Sequence, residues 1–148
     1  MVKIRLQGKP YALKRHRMTR KGHTYDPPDN IKWKKMAQFQ FNAQRVTPMH
    51  GPLLVIITAV FLLPKYRHRK REPVLDRTAH WGRPDIDNIV KAIFDAGNGF
   101  LWDDDAQIAA VFAQKWYGSQ IDDPYTEIEI SSVDDSIERP DLENEKPL

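Results

Sequence analysis

The sequence contains no cysteine among its 148 residues. Disulfide bonds, thiolate nucleophiles and cysteine-ligated zinc sites are therefore excluded, and the fold makes no demand for an oxidising compartment. Long apolar runs are also missing, because the longest, residues 53–63, is interrupted by Thr58 and is too short to cross a bilayer as a helix. The first residues lack the continuous apolar stretch of a signal peptide. We therefore expect a cytoplasmic protein that does not contact a membrane.

Acidic side chains are scarce in the first part of the chain, and basic side chains are scarce in the second. Residues 1–80 hold 18 Lys and Arg against four Asp and Glu, whereas residues 81–148 hold five against 16. The basic part is suited to a polyanion such as nucleic acid, and the acidic part would repel a polyanion unless cations intervene. This contrast predicts a nucleic-acid-binding protein that uses cations at its acidic part.

Hydrophobic patterns predict a single small α/β domain with a mixed sheet, whose elements follow the approximate order β-α-β-α-β-β. The apolar run 53–63 is rich in Val, Ile and Phe and does not alternate, which indicates a central strand buried on both faces. Residues 125–130 alternate between polar and apolar side chains and indicate a half-exposed edge strand. Two further strands are predicted over residues 2–6 and 107–117.

Two helices are predicted between these strands. The first runs from an N-cap at Asp29 or Asn30 to about Arg45. The second covers residues 88–96 and is apolar around most of its circumference, so that its polar side chains fall on one seam. A seam of this kind on an otherwise buried helix must face something polar.

The segments outside these elements differ in composition. Residues 8–29 are rich in basic side chains, glycine and proline, and predict a long loop, which in a small domain is usually functional or disordered. Apolar content falls after residue 131, and residues 132–148 predict a flexible acidic tail. The folded domain is therefore expected to cover residues 1–131.

The acidic residues with the clearest chemical meaning follow Pro84. Asp85 and Asp87 are two positions apart, so on extended backbone both carboxylates share one face, and Lys91 follows one helical turn later. Asp105, before the next strand, would add a third carboxylate. Close carboxylates raise each other's pKa unless a cation compensates, and Mg²⁺ is commonly held by a few carboxylates together with a phosphate oxygen of the substrate. These residues predict a metal site for phosphodiester chemistry.

Each of these residues also has a purely structural interpretation. Asp87 would serve as the N-cap of the helix, Asp85 would favour the helix dipole, and Lys91 would form ordinary ion pairs at helical spacing. The run of three acids at residues 103–105 is by itself typical of a solvated turn. The combination of all these residues favours the metal site.

The sequence around these residues resembles the RusA family of Holliday-junction resolvases, which is common in phages and prophages. The family pattern is Asp-x-Asp-Asn-x-x-Lys with a further Asp on the same helix, followed by Asp-Asp-x-Gln. Here the matching segments are RPDIDNIVKAIFDA, residues 83–96, and WDDDAQI, residues 102–108. The resemblance covers residues 2–131. It implies a small α/β homodimer that binds four-way DNA junctions and nicks opposing strands symmetrically with Mg²⁺ or Mn²⁺.

The resemblance also implies roles for individual residues. The metal-binding acids of the family fall on Asp85, Asp87 and Asp105, and its essential lysine falls on Lys91. Because three Asp are consecutive here, Asp104 stays open as the alternative to Asp105. Two basic runs are expected to bind backbone phosphates. Their members are Lys14, Arg15, Arg17, Arg20, Lys65, Arg67, Arg69, Lys70 and Arg71.

The sequence thus predicts a structure-selective, metal-dependent endodeoxyribonuclease that resolves four-way junctions during DNA recombination and repair. A two-fold dimer would supply the two coordinated cuts that a symmetric junction requires. Two alternatives stay open. One is a general branched-DNA or flap endonuclease with the same site, and the other is a non-catalytic DNA-binding module whose acids only cap a helix.

Overall fold

The structure, a computed structural model, describes residues 1–133 of the chain. It is a single small domain with a mixed sheet, as predicted, and its long elements follow the predicted order β-α-β-α-β-β. The predicted acidic tail lies, from residue 134 onward, outside the described residues. The strands are β1 (Val2–Gln7), β2 (Arg17–Met18), β3 (Thr24–Tyr25), β4 (Leu53–Phe61), β5 (Thr78–Ala79), β6 (Ile108–Tyr117) and β7 (Tyr125–Ser132), and the helices are α1 (Pro28–Ala43) and α2 (Ile86–Gly97).

The main sheet has the strand order β1-β7-β4-β6-β5. β4 and β6 are parallel, and the other neighbouring pairs are antiparallel. β4 lies at the centre of the sheet, and every residue from Ile57 to Phe61 is buried, which confirms the predicted central strand. The crossover from β4 to β6 contains α2, as parallel neighbours require.

The prediction that residues 125–130 form an edge strand is wrong, because β7 pairs with β1 on one side and with β4 on the other. The alternation of this segment reports which face of the sheet is exposed and carries no information about edge position. On the exposed face, Glu127 and Glu129 lie 3.5 Å and 3.2 Å from the Lys3 ammonium of β1. The outer edge of β1 is covered by α1, whose Gln40 and Gln44 side chains accept hydrogen bonds from β1 backbone amides.

The core is one cluster between the inner face of the sheet and the two helices. Phe41 of α1, Ile89 and Ile93 of α2, and Trp102 after α2 are all fully buried in it. α2 is therefore fixed by burial of one apolar face, while its polar seam stays accessible. Within residues 1–133, no helix combines the length and apolarity needed to traverse a lipid bilayer.

The first helix begins earlier than predicted. Pro27 occupies the N-cap position and Pro28 the first helical position, where the missing amide hydrogen of proline costs nothing, and the helix ends at Ala43 rather than near Arg45. The expected cap by Asp29 or Asn30 is therefore wrong. The Asn30 side chain is buried instead.

The segment 8–29 is more ordered than the predicted loop. It contains the β2–β3 hairpin, and the buried Asn30 side chain holds residues 11–14 in place by hydrogen bonds. The Asn30 side chain accepts hydrogen bonds from the Tyr11 hydroxyl (2.5 Å) and the Lys14 amide (3.0 Å), and it donates to the Lys14 carbonyl (2.9 Å). The Leu13 amide also donates to the Asn88 carbonyl at 2.9 Å. The first basic run is thereby held beside the start of α2.

Candidate active site

Asp85 stands at the N-terminal entrance of α2 in the N-cap position. Its backbone is extended, as predicted (φ −69°, ψ 137°), and its carboxylate makes no capping hydrogen bond. The expectation that Asp87 shares this extended backbone is wrong, because α2 begins at Ile86 and the Asn88 amide closes the first turn on the Asp85 carbonyl (3.2 Å). Asp87 is therefore not the N-cap, and neither carboxylate caps the helix.

The polar seam of α2 continues from Asp87 through Lys91 to Asp95. The Asp87 carboxylate lies 3.8 Å from the Lys91 ammonium, and both side chains are about two-thirds exposed, at 65% and 64%. At the other end, Asp95 lies 3.7 Å from the Lys34 ammonium of α1. Exposed ion pairs of this length stabilise a fold by no more than about 1 kcal/mol. These ion pairs therefore contribute little to the stability of the fold.

The acidic run 103–105 leads into a short 3₁₀ turn, Asp105–Gln107, before β6. The Asp104 carboxylate caps this turn by accepting a hydrogen bond from the Ala106 amide (3.0 Å). The Gln107 side chain completes the capping box by accepting from the Asp103 and Asp104 amides (2.8 and 3.1 Å), and it donates to the Met49 carbonyl (3.0 Å). Asp104 thus has a structural role that Asp105 does not share.

The pKa values of the Asp104 and Asp105 carboxyls are shifted in opposite directions. Burial raises the pKa of Asp105 above its ordinary value, and the neighbouring carboxylates of Asp104 and Asp95 raise it further. The hydrogen bond from the Ala106 amide lowers the pKa of Asp104. A half-buried carboxyl that faces two other acids favours the approach of a cation. Asp105 is therefore the better placed of the two for a ligand.

Asn98, the residue that ends α2, joins the helix to the acidic turn. Its side-chain oxygen accepts hydrogen bonds from the Asp105 amide and the Trp102 indole, both at 2.9 Å. Trp102 is fully buried and packs against Gly97. In the sequence, only the flanking glycines mark this position, and they indicate a turn rather than a functional side chain.

Three basic residues near Asp85 were also missed. The Lys115 ammonium of β6 donates to the Gly82 and Pro84 carbonyls (2.5 and 2.6 Å), and so fixes the segment that leads into Asp85. Lys9 and Arg83 line an open depression of about 510 Å³ together with Asp85. Each stands apart from the two basic runs, so no run of like charges marks it as a site residue.

The nine predicted phosphate contacts are exposed, except Arg67, which is half-buried. Lys14 is ion-paired with Asp29, at the start of α1. The guanidinium of Arg67 donates to the Thr78 hydroxyl (3.2 Å) and lies over the Tyr117 ring. The two basic runs therefore lie on different segments, one bonded to the start of α2 and the other beside β5.

The predicted metal ligands are divided between the two ends of α2. Asp85 and Asp87 lie at its N-terminal end, and Asp105 is bonded to Asn98 at its C-terminal end. A helix of 12 residues is about 18 Å long. In the part of the chain that the structure describes, no group of three or more His, Asp and Glu side chains is positioned to hold a metal ion. The donor chemistry fits a hard divalent cation, but one copy of the chain does not gather the three acids.

Comparison with known proteins agrees with the motif on α2. A family model described as Endodeoxyribonuclease RusA matches residues 7–131, which include both basic runs, α2 and the acidic turn. No curated protein matches the chain. The resemblance noted from the sequence is confirmed, and because the match spans most of the chain, this protein belongs to the RusA endodeoxyribonuclease family.

Proposed function

We propose that this protein resolves four-way DNA junctions by metal-dependent, symmetric nicking of opposing strands during recombination and repair. Membership of the RusA family supports the general activity, that of an endonuclease that resolves Holliday junctions. The proposal that the nicking is metal-dependent and symmetric is supported by the arrangement at the start of α2. Asp85 and Asp87 are accessible, make no cap, and lie beside Lys91 and the basic residues Lys9 and Arg83.

The acids would hold a divalent cation, and the bases would hold the DNA. Asp85, Asp87 and Asp105 are the proposed ligands of Mg²⁺, for which Mn²⁺ would substitute, and Asp104 is disfavoured because it caps the turn. When bound, the cation supplies an activated water and neutralises charge on the phosphate. Lys91 would bind a phosphate oxygen and stabilise the negative charge that develops during attack.

The division of the acids along α2 supports a homodimer. If the site were built within one chain, Asp105 would have to approach Asp87 across the length of the helix. A two-fold relation can instead bring the C-terminal end of one α2 to the N-terminal end of the other. We propose that each site combines Asp85, Asp87 and Lys91 of one copy with Asp105 of the second, which yields two symmetric sites.

Subunit mixing tests this arrangement. Asp87→Asn and Asp105→Asn proteins should each be inactive, whereas mixed dimers carry one intact composite site. After denaturation and refolding together, we expect the rate of single-strand nicking to return to roughly a quarter of the wild-type value, because half of the dimers are mixed and each has one of its two sites intact. If both acids belonged to the same site within each chain, no mixture would be active, and that result would contradict the composite site.

The nuclease itself is tested with four labelled substrates, namely a four-way junction, a fork, a flap and a linear duplex, each with Mg²⁺ and with EDTA. We expect paired, symmetric, ligatable nicks on the four-way junction only, and only when Mg²⁺ is present. Equal cutting of all four substrates would instead indicate a general branched-DNA endonuclease. Tight binding without cutting under any condition would indicate a non-catalytic DNA-binding module.

A further inference from the structure

Two aromatic side chains on one depression of the surface stand almost fully in solvent. Trp81 is 93% exposed and Tyr66 is 87% exposed, although aromatic side chains of this size usually bury most of their surface. Both line one open depression of about 630 Å³, together with Arg67. An exposed aromatic pair beside a guanidinium is a surface suited to a planar, negatively charged ligand.

This depression is related to the one that contains Asp85 through a cavity that shares lining residues with both. Its wall includes Tyr117, which also lines a second cavity of about 320 Å³. That cavity shares Lys9 and Arg83 with the depression that contains Asp85. The three spaces are therefore neighbours that share lining side chains, with Asp85 on one, Lys9 and Arg83 on that one and on the cavity, and the aromatic pair on the third.

The backbone that carries Trp81 is held firmly although its side chain is free. His80 is buried, stacked on Tyr117 with ring centroids 4.2 Å apart, and in edge contact with Phe61. The Gly82 amide donates to the His80 ring nitrogen at 3.2 Å. Trp81 thus projects from a fixed position, which lowers the entropic cost of stacking against a ligand.

We propose that Trp81 and Tyr66 stack on nucleobases that are unpaired or unstacked at the branch point of the DNA. The inference rests on the proposed function, because it names how that site selects branched DNA. Residues 65–71 contain five Lys and Arg and no acid, a charge that favours DNA over an apolar protein partner. A continuous duplex offers no free base face to an aromatic side chain, whereas a branch point can expose one.

The test measures binding separately from cleavage, in an Asp87→Asn background. Trp81→Ala and Tyr66→Ala should each weaken binding to a four-way junction by roughly 5- to 150-fold, the effect of losing one base stack. Binding to a linear duplex should change by less than about twofold, because phosphate contacts dominate there. Trp81→Phe should retain most of the junction affinity. Ile121→Ala, which removes a side chain that is 75% exposed and lines none of these spaces, is the matched control.

A base analogue gives a direct readout of stacking. 2-Aminopurine placed at the branch point should change its fluorescence when the Asp87→Asn protein binds, and Trp81→Ala should remove most of that change. Thermal midpoints and sedimentation of each variant report folding and oligomeric state.

Three results would overturn the inference. They are unchanged junction binding in both alanine variants, an equal loss on junction and duplex, and a shift in oligomeric state that accounts for the loss. The last result would place a second copy of the chain on the aromatic pair. If the wild-type protein does not cut junctions but Trp81→Ala still weakens junction binding selectively, the stacking inference stands and the nuclease proposal fails.

Discussion

The acidic side chains at the N-terminal end of α2 have few contacts that fix them, whereas those beyond its C-terminal end lie in a turn that hydrogen bonds hold in place. Asp85 and Asp87 make no capping bond, and the ion pair from Asp87 to Lys91 is long and exposed. Asp104 and Asp105 are fixed by a capping box and by the Asn98 side chain. Substitutions at the first end should therefore affect chemistry alone, while substitutions around the second end also affect folding.

The sharpest test of this difference is Asp87→Asn. We expect cleavage of a junction to fall by at least about 100-fold, because a proposed metal ligand and its charge are lost. The thermal midpoint should stay within about 1 °C of wild type, because the carboxylate is exposed and its ion pair contributes little. Asp103→Asn is the matched control, since Asp103 is an exposed acid paired with His50 and has no proposed role in catalysis. Normal cleavage by Asp87→Asn would exclude the assigned site.

The packing at the C-terminal end of α2 is tested through Gly97. A Cβ atom at this position would lie 2.5 Å from a ring carbon of buried Trp102, so Gly97→Ala must displace the tryptophan. We expect the free energy of unfolding to fall by roughly 1–3 kcal/mol, the usual effect of overpacking. Chemical denaturation measures this change. The Trp102→Phe background removes the ring atoms in contact, so the penalty of Gly97→Ala should be smaller there, and an equal penalty would contradict the steric explanation.

The free energy of unfolding should depend on pH through His80, which lies in the segment that leads into Asp85. Burial lowers the pKa of His80 below its usual 6.5, and the charge of Lys115 lowers it further. The unfolded chain therefore takes up a proton as pH falls below about 6.5 while the folded chain resists it, so stability is lost on acidification. For one proton the slope is at most about 1.4 kcal/mol per pH unit. Urea unfolding at several pH values should show this slope in wild type and a shallower one in His80→Gln.

The smallest expected effect separates the two acids of the turn. Asp104→Asn should preserve the cap, because asparagine also accepts a hydrogen bond from the Ala106 amide, and we expect cleavage within about threefold of wild type. Asp105→Asn should lose cleavage as Asp87→Asn does. Cleavage assays of both variants at equal dimer concentration decide between them, and loss of activity in Asp104→Asn alone would make Asp104 the ligand.

Local periodicity and residue spacing were enough to predict several parts of this protein. An apolar run without alternation predicted β4, and the apolar circumference with one polar seam predicted α2. The acidic motif carried the resemblance to the RusA family, which the family match confirmed. The bounds of α1 and the order within residues 8–29 were predicted less well, since a proline start and a buried Asn30 depend on contacts with other segments.

The way in which these elements pack against one another depends on contacts between distant parts of the chain. The interior position of β7 depends on its neighbours in the sheet, which its own alternation does not encode. Lys115 and Asn98 acquire their positioning roles from hydrogen bonds to distant segments or to the turn beyond the helix. The separation of Asp105 from Asp87 along α2, and the exposure of Trp81 on one depression with Tyr66, also became visible only in three dimensions. The physical reason is that local patterns fix which face of an element is buried, whereas long-range packing fixes which side chains become neighbours.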